Sequence, residues 1–471
     1  VDPHATEAVE FDAATRRLHR RLSATAERFL DYVERHPEAA ERSSYEVLDR
    51  DKRGVVTRLQ SWPLFIDRRQ QTRCSEAMLS LAAVVRTAPH RVFGDDAERL
   101  AAWYDLEIGT ARVMTRLLAD PKHLSSIVAR GDFVETENGF GCVEINVAGN
   151  LGGWTIGLWE RHYLKAPPVR DFVRRQGVDL VGVDPMGAFF AHVRGVAAAA
   201  GLNREDEVNV ALAVPPQNTG TGALMSVGAE GYRAYLDACG GGRGEFLACS
   251  YDDLEIVDGR RVLLDGRRIH VLVEAYSGIV PHRLFEPWMA GGLALLNGPV
   301  GQVLNDRRTL ALVSEHAESA LFSATEREVV RRHLPWTRVV ADEEVTYRGR
   351  RVRLPDVLAQ ERPAMVLKRT ASLGGEKVVI GATTEPHTWS DRVAEAVAEG
   401  KWIAQERLLS LPYAFQHGPT GWLPHEVVWG IFSFGDRYGG GFLRVLPQGG
   451  SGIVNASRGA DDGIFLVVDE L

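Results

Sequence analysis

The stretch Arg130–Asn146, RGDFVETENGFGCVEIN, narrows what this 471-residue chain can become more than any other. Asn138-Gly139 lies between two extended runs, 129–134 and 141–146, and Asn-Gly in that setting signals a β-hairpin. Two registers are open. If Asn138 and Gly139 alone form the loop, Asp132 pairs with Ile145 and Glu144 turns to the other face. If Glu137, Asn138 and Gly139 form a three-residue loop, Thr136 pairs with Phe140, Asp132 with Glu144 and Arg130 with Asn146. Alternation along the strands then crowds four polar side chains onto one face. Facing carboxylates repel unless a cation lies between them. Mg²⁺ takes hard oxygen ligands and keeps room for waters and phosphates, while a neighbouring guanidinium can grip a phosphate oxygen. One register thus makes half of a Mg–nucleotide site; the alternative is an ordinary exposed polar ribbon.

The rest of the chain sets bounds. Its length argues for two to four domains or subdomains. With 45% hydrophobic and 25% charged residues, it has the composition of a soluble globular protein. A net charge of -8 offers no basic footprint for nucleic acid. Cys74, Cys142, Cys239 and Cys249 form no CxxC pair, which disfavours a metal cluster or disulfide framework and favours a reducing, cytoplasmic compartment. No apolar run approaches the roughly 20 residues that cross a bilayer, and the opening VDPHATEAVEFD is unlike a signal peptide. The expectation is a cytoplasmic protein with no membrane or nucleic-acid partner and no predicted oligomeric state.

Periodicity predicts helices over most of 7–118, one of them capped by Asp95 and running through Leu118. VDLVGVDP, GAFFAHVRGVAAAAGL and VNVALAVPP read as strand, helix and strand, a β-α-β unit without GxGxxG. RRVLLDGRRIHVLVEAY predicts a hairpin turning at Asp265-Gly266, and Ser323 with Glu326 makes a capping box. From 364 onward AMVLKRT, KVVIG and WIAQERL read as strands. Ser390 is the expected cap of DRVAEAVAE, and Gly400 its stop. EVVWGIFSFG and GGGFLRVLP close the chain as an antiparallel pair.

Three later segments carry candidate chemistry. Lys368 ends a strand and is followed by ASLGGE, so Ser372, Gly374 and Gly375 could close a flexible backbone over phosphates while Lys368 neutralises one; the plainer alternative is a Gly-Gly hairpin with a solvated lysine. In WIAQERLLS, backbone groups at Gln405 and Glu406 could bond an adenine edge while Leu408 packs on its face. In FLRVLPQGGSGIVNASRG, Arg444, Asn455 and Arg458 could bind phosphate or an acyl carboxylate, or be surface charge.

Together these segments resemble the ATP-grasp ligases, in rotated order. The metal-type set R-x-D-x11-E-x-N precedes the lysine and glycine loop, as in the circularly permuted ATP-grasp proteins that include the synthetase domain of glutathionylspermidine synthetase. NGPVGQVLNDRRTLALVSEH, HLPWTRVV, VLKRTASLGGEKVVIG, WIAQERL and SGIVNASRG are similar to landmarks of that group. The resemblance implies an α+β chain: an ATP-grasp fold in circularly permuted order, with an N-terminal helical region and an inserted β-α-β subdomain. The expected divisions are 1–118 helical, 119–165 the metal and phosphate hairpin, 166–290 a substrate-facing α/β subdomain, 291–340 a helical connection, and 341–471 the nucleotide-binding part with closing strands.

The resemblance also implies roles. Asp132, Glu144 and Asn146 would hold Mg²⁺. Arg130 would contact the γ-phosphate, Lys368 and residues 371–376 the other phosphates, Gln405, Glu406 and Leu408 the adenine, and Arg444 the transferred phosphate; Asn455 and Arg458 would support nucleotide binding. Arg307 and Arg308 stand where many members have a lysine, Glu376 is an anion in the glycine loop, and AGNLGG lacks the usual proline–glycine turn. The implied activity is an ADP-forming carboxylate–amine ligase that uses ATP and Mg²⁺, proceeds through an acyl phosphate, and joins small-molecule acid and amine substrates such as amino acids or a peptide. A catalytically inactive nucleotide-binding accessory protein and a small-molecule phosphotransferase are the alternatives.

Overall fold

The computed structural model describes residues 10–42, 47–49, 56–148, 151–203, 207–216, 223–275, 280–370, 378–418, 421–450, 452–455 and 458–470. It is an α+β arrangement in which three sheets matter for the site. The largest has six strands, ordered Asp461–Gly463, Arg437–Pro447, Gly421–Phe434, Val128–Thr136 and Gly139–Asn146, with Tyr413–His417 also paired to Gly421–Phe434. A four-stranded antiparallel sheet runs Thr337–Val339, Trp402–Glu406, Met365–Arg369 and Val378–Ile380. A four-stranded parallel sheet runs Ala294–Leu296, Val271–Glu274, Val210–Ala213 and Phe246–Cys249. Among the described residues no helix is long and apolar enough to cross a membrane.

The helix Arg68–Phe93 backs the large sheet. Asp67 caps it by accepting from Gln70 N at 2.6 Å, and Gly94 ends it at φ 57°. Its buried Cys74, Ala77, Met78, Leu81, Ala82 and Val85 recur at helical spacing and face the strands. Gly131 is small for this reason: a Cβ there would meet Met78 Sδ at 2.8 Å and Phe133 Cε2 at 2.3 Å. Phe133 and Glu135 share that inward face. Phe133 is fully buried, and taking such a side chain out of water contributes about 1.5–3 kcal/mol. Glu135, 1% exposed, is bonded by Gln70 Nε2 at 2.9 Å and Tyr413 OH at 2.7 Å.

Four sequence expectations need correction. Asp96, not Asp95, caps the helix after Gly94, accepting from Arg99 N at 3.0 Å, and that helix stops at Tyr104 before a separate one spans Ile108–Leu118. The apolar run 178–184 is not a strand of the α/β sheet; Leu180 makes only an isolated bridge to Val468. The parallel sheet instead crosses over through helix Ala223–Ala238, between strands Val210–Ala213 and Phe246–Cys249. Ser390 lies inside helix Pro386–Glu399, its hydroxyl bonded back to Pro386 O at 3.1 Å, because Pro386 opens the helix a turn earlier. The hairpin loop is Glu137-Asn138 alone, since Thr136 pairs with Gly139 rather than Phe140. The turn at Asp265-Gly266, the Ser323/Glu326 capping box and the Gly400 stop appear as the sequence predicts.

Candidate nucleotide cleft

A β-bulge decides what the hairpin presents. Near the turn Phe133 pairs with Cys142; beyond it Asp132 pairs with Glu144 and Arg130 with Asn146, leaving Val143 as the extra residue. Arg130, Asp132, Glu144 and Asn146 therefore occupy facing positions, although by a different route from a three-residue loop. The bulge has a second effect: the Val143 carbonyl leaves the ladder and accepts from Lys368 Nζ at 2.9 Å, across 225 residues of sequence.

Each acid already meets a guanidinium. Arg130 donates to Asp132 through Nε at 2.7 Å and Nη2 at 3.0 Å, and Asn146 Nδ2 adds a third bond at 3.2 Å. Burial would raise the Asp132 pKa, but Arg130, Arg444 and the Asn146 amide outweigh it and hold the carboxyl below its ordinary value. Arg307, 4% exposed, donates to Glu144 Oε1 at 2.8 Å and to the Arg369 carbonyl at 2.7 Å. Arg130 and Arg444 lie 5.5 and 5.0 Å from the Phe442 ring, and Arg444 Nε reaches Asp462 Oδ1 at 3.3 Å.

Lys368 is the cation on the facing sheet. Gln405 Oε1 accepts from its Nζ at 2.6 Å, and Gln405 Nε2 is fixed by Thr337 Oγ1 at 3.1 Å. Gln405 thus orients the lysine with its side chain, a role the strand pattern did not reveal. Burial lowers Lys368 to about 8, with Glu144 opposing and Arg307 reinforcing that shift. A phosphate would bind the charged amine, which is protonated below about 8 in the free protein, so nucleotide affinity is expected to fall as pH rises through that value. Fluorescent-nucleotide titrations from about pH 6.5 to about 9.5, below the ordinary lysine pKa, would check this; flat affinity would remove Lys368 from phosphate contact.

Asp132, Glu144, Lys368, Gln405, Arg444 and Asn455 line one cleft between the two sheets. Glu406 and Leu408 line it too. The amides of Glu406 and Arg407 are already bonded to Trp336 O at 2.9 Å and Ala364 O at 2.8 Å, so those two N–H groups do not face a base. Glu406 accepts from Tyr347 OH at 3.0 Å. Leu408 closes the cleft against the hairpin: a Cβ on Gly141 would lie 2.4 Å from Leu408 Cδ1. Glu426 and Ser410, which sequence reasoning missed, also line the space; both sit in strand or hinge segments with no motif to mark them. Arg458 is exposed and is not among the lining residues. Ser372, Gly374, Gly375 and Glu376 lie outside the described residues.

No family model matches the chain, and no curated protein matches it. Among solved structures, it is similar to the apo form of a glutathione synthetase-like effector from Globodera pallida. The TM-score is 0.57 at 13% identity, covering 92% of this chain and 97% of that one. The chain has the fold of that effector. A protein from Methylobacillus flagellatus KT that carries the name of a γ-glutamylcysteine synthetase aligns over 80% of this chain and 86% of its own, at 14% identity. Its TM-score of 0.39 is too low to carry an argument.

The donor chemistry of the hairpin fits a hard divalent cation. Two carboxylates and an amide oxygen come from facing positions beside a buried lysine, which are the hard oxygen donors such a cation takes, while the guanidinium groups paired with both acids compete with it. Asp132 engages both its oxygens with Arg130, so a metal there requires Arg130 to swing off, toward the phosphate it would then bind.

Proposed function

We propose that the protein is an ATP-dependent, ADP-forming carboxylate–amine ligase built on a circularly permuted ATP-grasp core. The observation that carries this reading is the Lys368–Val143 contact. It joins the lysine strand to the bulged hairpin, so that Asp132, Glu144, Lys368 and Arg444 converge on one cleft. The divisions expected from sequence (hairpin core, α/β insertion and C-terminal nucleotide part) are adopted here as part of this reading.

Asp132, Glu144 and Asn146 would hold Mg²⁺, which when bound neutralises phosphate charge. Lys368, oriented by Gln405, would grip a non-transferred phosphate. Arg130, released from Asp132, and Arg444 would bind the transferred phosphoryl oxygens through charge-assisted hydrogen bonds. A substrate carboxylate oxygen attacks the γ-phosphorus in line, ADP leaves, and an acyl phosphate forms. The amine then attacks the acyl carbon, loses a proton, and expels inorganic phosphate to leave an amide. No protein nucleophile is needed; positioning and charge do the catalysis. The space between the sheets measures about 150 Å³, with Leu408 at its wall.

The test is an ADP-release screen over pairs of amino acids with mass spectrometry of condensed products. ADP formation that requires Mg²⁺, an acid and an amine together is the expected result. AMP and pyrophosphate as products would defeat the reading. The pairing of both hairpin acids with arginines favours one second reading, a nucleotide-binding accessory protein without turnover. It predicts ATP binding that is unchanged when Mg²⁺ is chelated.

A further inference from the structure

The arginines around the hairpin are committed to different degrees. Arg130 uses Nε and Nη2 on Asp132, and Arg307 uses Nη1 on the Arg369 carbonyl and Nη2 on Glu144. Arg444 makes its hydrogen bond through Nε alone, to Asp462 Oδ1 at 3.3 Å. Among the described residues neither of its terminal nitrogens has a hydrogen-bond partner, and neither is a buried orphan, so both stay accessible in the cleft that Arg444 lines. A guanidinium held by Nε with both terminal nitrogens uncommitted can take two oxygens of an oxyanion at once.

The sheet places Asp462 for this. Strand Asp461–Gly463 lies beside Arg437–Pro447, and Asp462 stands directly opposite Arg444. Opposed residues of an antiparallel pair share a face. The Asp462 side chain is 4% exposed, against 20% for Arg444, so the acid sits behind the arginine rather than in the open cleft. Its backbone is pinned from outside the sheet. Gln60 N donates to Asp462 O at 2.8 Å, and Gln60 Nε2 donates to Asp461 Oδ2 at 2.9 Å. Tyr163 OH in turn donates to the Gln60 carbonyl at 2.5 Å. On the arginine's other contact, the Phe442 ring centre lies 5.0 Å from the guanidinium carbon. One acid and one ring thus hold the fork before any ligand arrives, which is how a binding group is preorganised.

We propose that Asp462 is a positioning residue that presents Arg444 to the transferred phosphoryl group. This rests on the nucleotide reading of the cleft and goes beyond it: Asp462 acts through Arg444, touches no substrate, and sets a preference for a nucleoside triphosphate over a diphosphate, because only the triphosphate carries the oxygens that Arg444 meets.

The experiment is calorimetric titration of the full chain with Mg·ADP and with Mg·AMP-PNP, a non-hydrolysable triphosphate analogue. The wild-type chain is expected to prefer AMP-PNP. Asp462→Asn, which keeps the shape and removes the charge, should reduce that preference about tenfold. Arg444→Lys, which keeps the charge and lacks the Nε donor, should reduce it at least as much. The double variant should lose no more than Arg444→Lys alone, since residues that act through one contact are not additive. A destabilised variant does not obscure the result, because an unfolded fraction lowers both affinities alike and cancels from their ratio. An unchanged preference in Asp462→Asn, losses that add in the double variant, or a wild-type chain that binds both nucleotides equally would overturn the positioning role and leave nucleotide binding in place. A wild-type chain that binds neither nucleotide would overturn the cleft reading as well.

Discussion

Asp132→Asn is expected to lower Mg·ATP-dependent ADP release on the order of a thousandfold. The substitution keeps the shape of the side chain and removes its charge. In the proposed reaction, that charge is half of the anionic pair that holds the cation, and nothing else on the strand replaces it: the neighbouring cleft-facing side chain is Val134. The same change affects folding, because Arg130 is nearly buried and loses the acid that balances it. Breaking a buried pair from one side costs about 3–5 kcal/mol, so thermal midpoints must be measured beside rates. Glu144→Gln carries a similar risk, because its buried partner Arg307 loses an acid while keeping a bond to the Arg369 carbonyl at 2.7 Å. Loss of activity in both variants at a temperature where each stays folded supports cation binding. Near-normal turnover in Asp132→Asn would remove the hairpin from the chemistry.

Asn297→Ala should cost about 2–5 kcal/mol of folding stability. Asn297 has no exposed surface. Its Oδ1 accepts from Val128 N at 2.6 Å and its Nδ2 donates to Val128 O at 2.8 Å, so one side chain pairs with both backbone groups of a residue 169 positions away. Val128 begins the strand that carries Arg130 and Asp132, while Asn297 follows the last strand of the parallel sheet. Alanine would strand a buried N–H and a buried C=O where water does not reach. Urea unfolding would give the value; a loss below about 1 kcal/mol would mean that the backbone finds new partners.

The sequence made some of this legible and hid the rest for identifiable reasons. Alternation in Val128–Thr136 announced that Arg130 and Asp132 share a face, because the two-residue period survives any register. The bulge at Val143 was not legible. A two-residue loop with one extra residue and a three-residue loop without it give the same pairing at Asp132, and only the backbone distinguishes them. The run 178–184 misled because a short apolar segment reads as a strand whether or not a sheet accepts it. Asn297 and the side chain of Gln405 went unseen because their partners lie far away in sequence, and no periodicity encodes a contact across 169 residues. The start of the helix at Pro386 was readable: proline favours the first helical position, and Ser390 drew attention away from it.

The two arginine–carboxylate pairs at the hairpin have a consequence for its charge. Asp132 and Glu144 are neutralised from within by Arg130 and Arg307. The hairpin therefore stores no surplus of negative charge that would push the sheets apart. In the proposed reaction, loading would exchange one positive partner for another, and the arginine displaced from Asp132 would be freed as an anion arrives to receive it.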